Sequence, residues 1–270
     1  MTSPDPIKQS TFNQEQYARW NGSDGECWSR EQERLDRVLA PILEPLLEFA
    51  APAPGSAVMD IGCGCGATTL ELARRVGPEG RVTAIDISGP MLARAKERLS
   101  GCANTTFRLG DAAVVPLADL HADLAVSRFG VMFFGDPVAA FANLRTGLAP
   151  GGRLRFVCWR AIQENPWLQI PLHAVYEHVP RLPKPGPEEP GPFSFADSER
   201  VTRILTTAGF SAPSFTPLDV PMDLAAGGGL EDAVRHSVET GPARRALEGQ
   251  PDEIRARAAD SIQRALAPYA

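Results

Sequence analysis

The sequence predicts an α/β fold built on a doubly wound, mostly parallel sheet. Three observations predict it. Short apolar runs alternate with amphipathic stretches between residues 57 and 159, the order expected of a parallel sheet with helices on both faces. A glycine-rich turn, Gly62-Cys63-Gly64-Cys65-Gly66, separates the first apolar run from the first of those helices. An acid, Asp86, closes the second run 20 residues past Gly66.

Taken in order, strands are expected over 57–61, 81–87, 105–109, 124–128 and 153–159. Between them, 68–76 reads as a helix stopped by Gly77-Pro78. Residues 90–99 form a helix with Pro90 in its first turn, and 137–148 one closed by Pro150-Gly151-Gly152. Upstream, 30–49 is an amphipathic helix whose apolar side carries Leu35, Val38, Leu39, Ile42, Leu43, Leu46 and Leu47. Pro41 and Pro45 predict a kink there, or two shorter helices. Downstream, 166–179 reads as helical, and 180–192 holds six prolines and reads as an extended loop. Asp197 or Ser198 caps a helix running to Ala208 and stopped by Gly209. Residues 215–222 read as a further strand, Gly227-Gly228-Gly229 as a hinge-like break, and 230–266 as charged helix. This divides the chain into an N-terminal helical cap (1–50), a sheet domain (51–222, with the insertion 161–195) and a C-terminal helical segment (223–270).

Composition narrows the function. The chain has 270 residues, 43% of them hydrophobic and 22% charged, enough for a full core without staples. A net charge of −6 gives no basic footprint for nucleic acid, so no nucleic-acid partner is expected. Residues 1–10 are polar with two prolines and lack a signal-peptide core, and no apolar run reaches membrane-spanning length. The five cysteines, Cys27, Cys63, Cys65, Cys102 and Cys158, have neither disulfide-framework nor zinc spacing. A cytoplasmic protein with reduced thiols and no metal is the expectation. Oligomeric state is not readable.

The chemistry lies in Val58-Met59-Asp60-Ile61-Gly62-Cys63-Gly64-Cys65-Gly66. In an open parallel sheet, ligands bind beyond the carboxyl ends of the strands, and glycines there let the backbone approach them closely. A carboxylate at the end of the second strand accepts from both hydroxyls of a ribose. A tight strand-to-helix turn alone would need such glycines too; with Asp86 at ribose distance, adenosine binding is the better reading. Gly62, Gly64 and Ala67 also satisfy the dinucleotide pattern G-x-G-x-x-G/A. Asp60 argues against NAD, because a carboxylate two residues before the first glycine sits poorly beside a pyrophosphate. It suits a ligand carrying an ammonium and a sulfonium, either directly or by fixing the loop.

These motifs resemble the class I S-adenosylmethionine (SAM)-dependent methyltransferases, in the branch related to ubiquinone/menaquinone C-methyltransferases and natural-product methyltransferases. Asp60 to Gly66 is similar to that family's first motif, and Ala84-Ile85-Asp86-Ile87-Ser88 with Met91-Leu92 and Ala95 to its second. Gly110-Asp111-Ala112, Val126-Ser127-Arg128-Phe129 and Leu148-Ala149-Pro150-Gly151-Gly152-Arg153-Leu154 resemble the motifs at the third, fourth and fifth strands. The resemblance covers roughly residues 35–220 and implies a Rossmann-like fold with SAM as cofactor. It implies that Gly62, Cys63 and Gly64 line the methionine portion and that Asp86 holds the ribose. Ile87 and Met91 then lie beside the adenine, Asp111 accepts from its amino group, Ala112 packs near the ring, and Ser127 touches the methionine portion. The family's sheet usually ends in a hairpin; here no convincing final antiparallel strand follows 215–222.

The implied activity is methyl transfer to a small-molecule acceptor at oxygen, carbon or nitrogen. The alternatives are an NAD-dependent oxidoreductase and a SAM-binding protein that does not methylate, a sensor or cyclisation scaffold. A base helps if the acceptor is a phenol, alcohol or acidic carbon. His173 and His178, in the insertion, are the candidates, each with a solvated surface role as its plain alternative. His121 precedes the fourth strand at the wrong end of the sheet, and His236 is expected to be exposed. Arg128 suits an acceptor or cofactor carboxylate, or a structural hydrogen bond. Phe129, Met132, Phe133 and Phe134 read as core, with Phe129 nearest the strand end. Tyr17, Trp20 and Trp167 are candidate acceptor contacts; Tyr17 and Trp20 also suit closure over the cofactor or docking on the sheet. Asn165-Pro166-Trp167 shares part of the N-P-P-aromatic signature of amino-group DNA methyltransferases but lacks its second proline, and reads as a helix start.

Overall fold

The computed structural model describes residues 14–184, 186 and 189–270; the readings made on residues 1–10 and on Phe12 lie outside them. Three helices come first, α1 (Gln14–Asn21), α2 (Ser23–Arg30) and α3 (Gln32–Ala50). The helix α3 is one helix of 19 residues, not the kinked or divided one that Pro41 and Pro45 predict. Its apolar stripe explains why: Leu35, Val38, Leu39, Ile42, Leu46 and Leu47 are all buried, so packing along the whole length offsets two missing backbone donors.

The alternating region follows as β1 (Ala57–Ile61), α4 (Ala67–Val76), β2 (Arg81–Asp86), α5 (Gly89–Arg98), β3 (Thr105–Leu109), β4 (Ala122–Arg128), α6 (Pro137–Thr146) and β5 (Leu148–Val157). The five strands form one sheet in the order β3-β2-β1-β4-β5, every pair parallel. The order reverses between β1 and β4, which makes their carboxyl ends the switch point where such sheets bind ligands. Caps set the helix starts: the Ser88 side chain accepts from the Met91 amide, and the Asp136 side chain accepts from the Ala139 amide at 2.9 Å.

The last strand begins five residues earlier than expected. Ala122 pairs with Leu148, but Leu124 pairs with Arg153, so extra residues around Pro150 and Gly151 bulge out of the ladder. Gly151 takes a φ of +81°, which permits that bulge. No strand follows β5 among the described residues. Residues 211–222 carry no ladder, and Phe215 and Leu218 are exposed, so the strand expected over 215–222 is corrected to irregular chain. Its spacing of apolar residues mimics a half-buried strand without a buried face to satisfy.

Beyond β5 lie α7 (Pro166–Val175), α8 (Ser198–Thr207), α9 (Leu230–Glu239), α10 (Gly241–Ala246) and α11 (Asp252–Leu266). Pro166 opens α7, as the helix-start reading of Asn165-Pro166-Trp167 expects, and Asp197 caps α8 through the Glu199 amide at 2.8 Å. The helix α7 ends at Val175, four residues earlier than expected.

The chain divides into two units. The first comprises residues up to Gln32, Ile42–Cys158 and Glu189–Leu218. The second comprises Glu33–Pro41, Trp159–Glu188 and Asp219–Ala270. The second has its own core of α7, α9, α10 and α11 residues, among them Leu172, Val175, Leu247 and Ile262. His236, expected to be exposed, is buried there with its ring 6.4 Å from that of Trp167. Burial and the Arg34 charge push its pKa down to about 4, so it stays neutral at physiological pH and packs as an aromatic ring.

In the first unit, Phe141 of α6 is fully buried with Phe134, Phe156, Phe195 and Phe210 around it, ring centroids 5.8–6.4 Å away. Phe141→Ala removes the ring that all four touch and is expected to cost about 3–5 kcal/mol. Denaturant unfolding followed by near-ultraviolet circular dichroism checks this; a loss below about 1 kcal/mol would show that the cluster does not hold the helix to the sheet.

Candidate cofactor site

The carboxyl edge of the sheet collects the motif residues. At the end of β1, Gly62 takes a φ of +66°, and a Cβ there would lie 2.7 Å from the Gly130 Cα. Gly130 is constrained in return: its Cβ would lie 2.7 Å from the Ile61 carbonyl oxygen and 2.8 Å from the Gly62 Cα. The β1 and β4 loops therefore meet backbone to backbone, which two glycines alone permit. Ser127 fastens this contact. Its hydroxyl donates to the Ile61 carbonyl at 2.7 Å and accepts from the Gly130 amide at 3.1 Å. The hydroxyl's one proton is thus already engaged.

Gly64 also has positive φ, +55°, and the position of its missing Cβ lies 3.0 Å from the terminal methyl of Met91 on α5. Between these segments sits Asp86, 8% exposed at the end of β2. One carboxylate oxygen accepts from the Gly64 amide at 2.7 Å, the other from the Ser88 amide at 2.7 Å. Burial pushes the Asp86 pKa up, opposed by the Ser88, Gly64 and Ile87 amides. A carboxylate has about four acceptor positions. With the Gly64, Ser88 and Ile87 amides on it, the carboxylate keeps acceptor capacity for a ligand hydroxyl.

Asp60, in β1, is 1% exposed. Its Oδ2 accepts from the Thr69 hydroxyl at 2.6 Å, while Oδ1 is buried with no hydrogen-bond partner among the described residues. Burial raises its pKa to about 7; the Thr69 hydrogen bond and the Arg128 charge pull it down, and Asp86 adds to the rise. An acceptor kept dry and unpaired at a ligand-binding edge fits a ligand that brings positive charge. Burial, then the charges of Asp86 and Asp60, push the Cys63 thiol well up, so it remains a neutral lining group.

The remaining expected residues are placed as follows. Asp111 and Ala112 are buried just past β3, and the Asp111 carboxylate accepts from the Ala113 amide at 2.8 Å. Ile87 is half-buried past Asp86, and Arg128 half-buried at the end of β4. Tyr17 and Trp20 lie half-buried on α1. The Trp20 ring makes edge-to-face contacts with Phe133 at 5.2 Å and Trp28 at 6.1 Å. Phe129 has a φ of +71°, unusual for an aromatic residue, while Met132 and Phe134 are buried as expected of core. His121 is exposed ahead of β4, at the opposite edge.

The second unit holds Trp167, His173 and His178. Trp167 packs on Trp159 at 5.3 Å and on His236. His173 is exposed on α7. His178 Nε2 lies 2.8 Å from the Ser261 hydroxyl, which also accepts from Arg264 at 2.7 Å.

Sequence reasoning missed Gly130, Thr69, Asn21 and Gly25. The first follows the fourth-strand motif directly and was visible as a glycine. The others act through partners distant in sequence or in another element, and only the fold shows them.

The Asp60 shift has a defined consequence for stability. Its folded pKa lies above the unfolded value of 3.8, so the stability tied to its protonated form is present at low pH and lost as pH rises through about 7. Asp60→Asn removes this loss. Without ligand, the variant should gain on the parent between pH 5 and pH 8, by on the order of 4 kcal/mol over the full titration. Urea midpoints at the two pH values check this; a difference independent of pH, or larger at pH 5, would contradict it.

Comparison with known proteins agrees with this geometry. A family model described as a methyltransferase domain matches residues 58–152. The chain is 31% identical over 166 residues to the demethylmenaquinone methyltransferase of Staphylococcus aureus (strain JH9), spanning 58% of this chain and 68% of that protein. It is 36% identical over 118 residues to the nocamycin O-methyltransferase of Saccharothrix syringae, spanning 42% and 41%. Among solved structures, the [4+2]-cyclase SpnF shares the fold over 98% of this chain and 93% of its own, with a TM-score of 0.53 at 18% identity. The chain spans less than half the length of the first curated relatives it matches, 48%, 28% and 41%. With its glycine loop, the buried acid at the end of β2 and its likeness to the demethylmenaquinone enzyme over two thirds of that protein, this chain belongs to the class I SAM-dependent methyltransferases, whose cofactor is S-adenosylmethionine.

Proposed function

We propose that this protein transfers a methyl group from SAM to a small organic molecule. The observation that carries the reading is Asp86. It is a buried carboxylate at the end of β2 that braces the glycine loop and still has acceptor capacity facing the ligand edge. The two relatives named for demethylmenaquinone and nocamycin support a small-molecule acceptor.

When bound, SAM supplies a methyl group already activated on a sulfonium. The protein's part is then mainly to position and to exclude water. Gly62, Cys63 and Gly64 offer a backbone cradle, and Asp60 balances positive charge. Asp86 accepts from the ribose, Ile87 and Met91 flank the adenine, Asp111 accepts from its amino group, and Ala112 lies by the ring. Ser127 keeps the β1 and β4 loops together. Tyr17, Trp20 and Arg128 are the acceptor-side residues of the first unit. Assignment of Trp167 to acceptor binding, and of His173 and His178 to base chemistry, rests on sequence position within the second unit.

A cytoplasmic location belongs to the same reading, and none of the five cysteines is joined in a disulfide. No helix among the described residues is long and apolar enough to cross a membrane, and these residues contain no cluster suited to a metal.

Titration calorimetry should show SAM and S-adenosylhomocysteine binding and NAD not binding. Asp86→Ala should weaken S-adenosylhomocysteine at least about tenfold, because two charge-assisted hydrogen bonds are lost. Incubation with a panel of acceptors should convert SAM to S-adenosylhomocysteine. Tighter binding of NAD, or SAM binding with no turnover on any acceptor, would overturn the methyltransferase reading.

A further inference from the structure

The helices α1 and α2 are attached to the ligand edge by residues outside the cofactor motifs. The side chain of Asn21, the last residue of α1, grips both sides of the β2–α5 corner. Its Nδ2 donates to the Ile87 carbonyl at 3.0 Å and its Oδ1 accepts from the Gly89 amide at 2.9 Å. The same Nδ2 lies 2.9 Å from the carbonyl of Tyr17, tying the grip to the helix that carries it. One residue earlier, the Trp20 carbonyl accepts from the Ser88 hydroxyl at 2.6 Å. Gly25 of α2 seals the joint, since a Cβ there would lie 1.8 Å from the Trp20 carbonyl oxygen and 2.8 Å from the Ser88 hydroxyl.

The backbone of Trp20 is therefore fixed beyond the end of β2, while its ring lies against Phe133, in the short turn just after β4. In the sheet, β1 lies between β2 and β4. Trp20 thus joins the corner after β2 to the turn after β4, the two strands that flank β1. Its ring makes edge-to-face contacts with both Phe133 and Trp28 and remains half-exposed.

We infer that α1 and α2 form a clamp over the cofactor, that Asn21 is its latch, and that the Trp20 indole makes the clamp selective for the charged cofactor over the spent one. This rests on the SAM reading above. An indole face attracts a cation through its quadrupole, most strongly where water is excluded. SAM carries a positive sulfonium, and S-adenosylhomocysteine carries a neutral thioether. The clamp thus grips the loaded cofactor and loses that attraction once the methyl group has left, which favours exchange of the product. Asn21 is a positioning residue: it acts through Trp20 and the β2–α5 corner, and so serves both forms alike.

Calorimetry and stopped-flow fluorescence on the full chain test this with both ligands. Trp20→Leu should weaken SAM about tenfold more than S-adenosylhomocysteine, and Trp20→Phe, which keeps an aromatic face, should restore most of that preference. Asn21→Ala should weaken both ligands by a similar factor, mainly through faster dissociation. Equal weakening of both ligands in Trp20→Leu would overturn charge selection, and an unchanged dissociation rate in folded Asn21→Ala would overturn the latch. Failure of the parent protein to bind either ligand would instead remove the cofactor reading itself, and this inference with it.

Discussion

The carboxylate of Asp86 holds two backbone segments at once. Through the Gly64 amide it anchors the glycine loop, and through the Ser88 amide it anchors the turn into α5. Ser88 in turn caps α5 and bonds to the Trp20 carbonyl, and the corner it occupies is the one Asn21 grips. A single buried charge thus links β1, β2, α5 and α1. The second joint of the edge is steric: Gly62 and Gly130 touch backbone to backbone under the Ser127 hydroxyl. One joint fixes the glycine loop against β2 and α5, and the other fixes it against the turn after β4.

The arrangement has a cost that the function explains. Asp60 and Asp86 are both buried, and burial raises both pKa values. Asp60 keeps one oxygen without a partner among the described residues. With its pKa raised to about 7, Asp60 destabilises the unliganded protein as it ionises beside Asp86. A cationic group placed beside Asp60 would offset this cost. Residues of this kind persist where a site must bind rather than merely pack.

Most of the sheet was legible in the sequence because buried parallel strands leave plain marks. Residues 57–61, buried at every position, and 105–109, a half-buried edge strand opened by the branched Thr105 and Thr106, have turn signals at each end and fold as read. The glycine loop and Asp86 were legible because their spacing follows from the geometry of one strand-turn-helix unit. Other features were hidden for stated physical reasons. The early start of β5 was masked by Pro150-Gly151-Gly152, which forms a bulge rather than ending the element. Pro41 and Pro45 suggested a break that tertiary packing overrides. The pattern at 215–222 imitated a strand, although Phe215 and Leu218 stay exposed. His236 was read by its charged neighbours rather than by the apolar face of α9 on which it is buried. Asn21 and Gly25 escaped notice because both act at the β2–α5 corner, more than 60 residues away in sequence.

Amide hydrogen exchange in the unliganded protein tests the central place of Asp86 most directly. Comparison of the parent with Asp86→Ala, resolved at Gly64 and Ser88 and over α1 and α2, reads out each joint separately. The account predicts slow exchange at both amides in the parent. In the variant both should exchange much faster, together with α1 and α2, while β1 and β4 keep their protection. Unchanged protection at Gly64 and Ser88, or loosening confined to one of them, would contradict it.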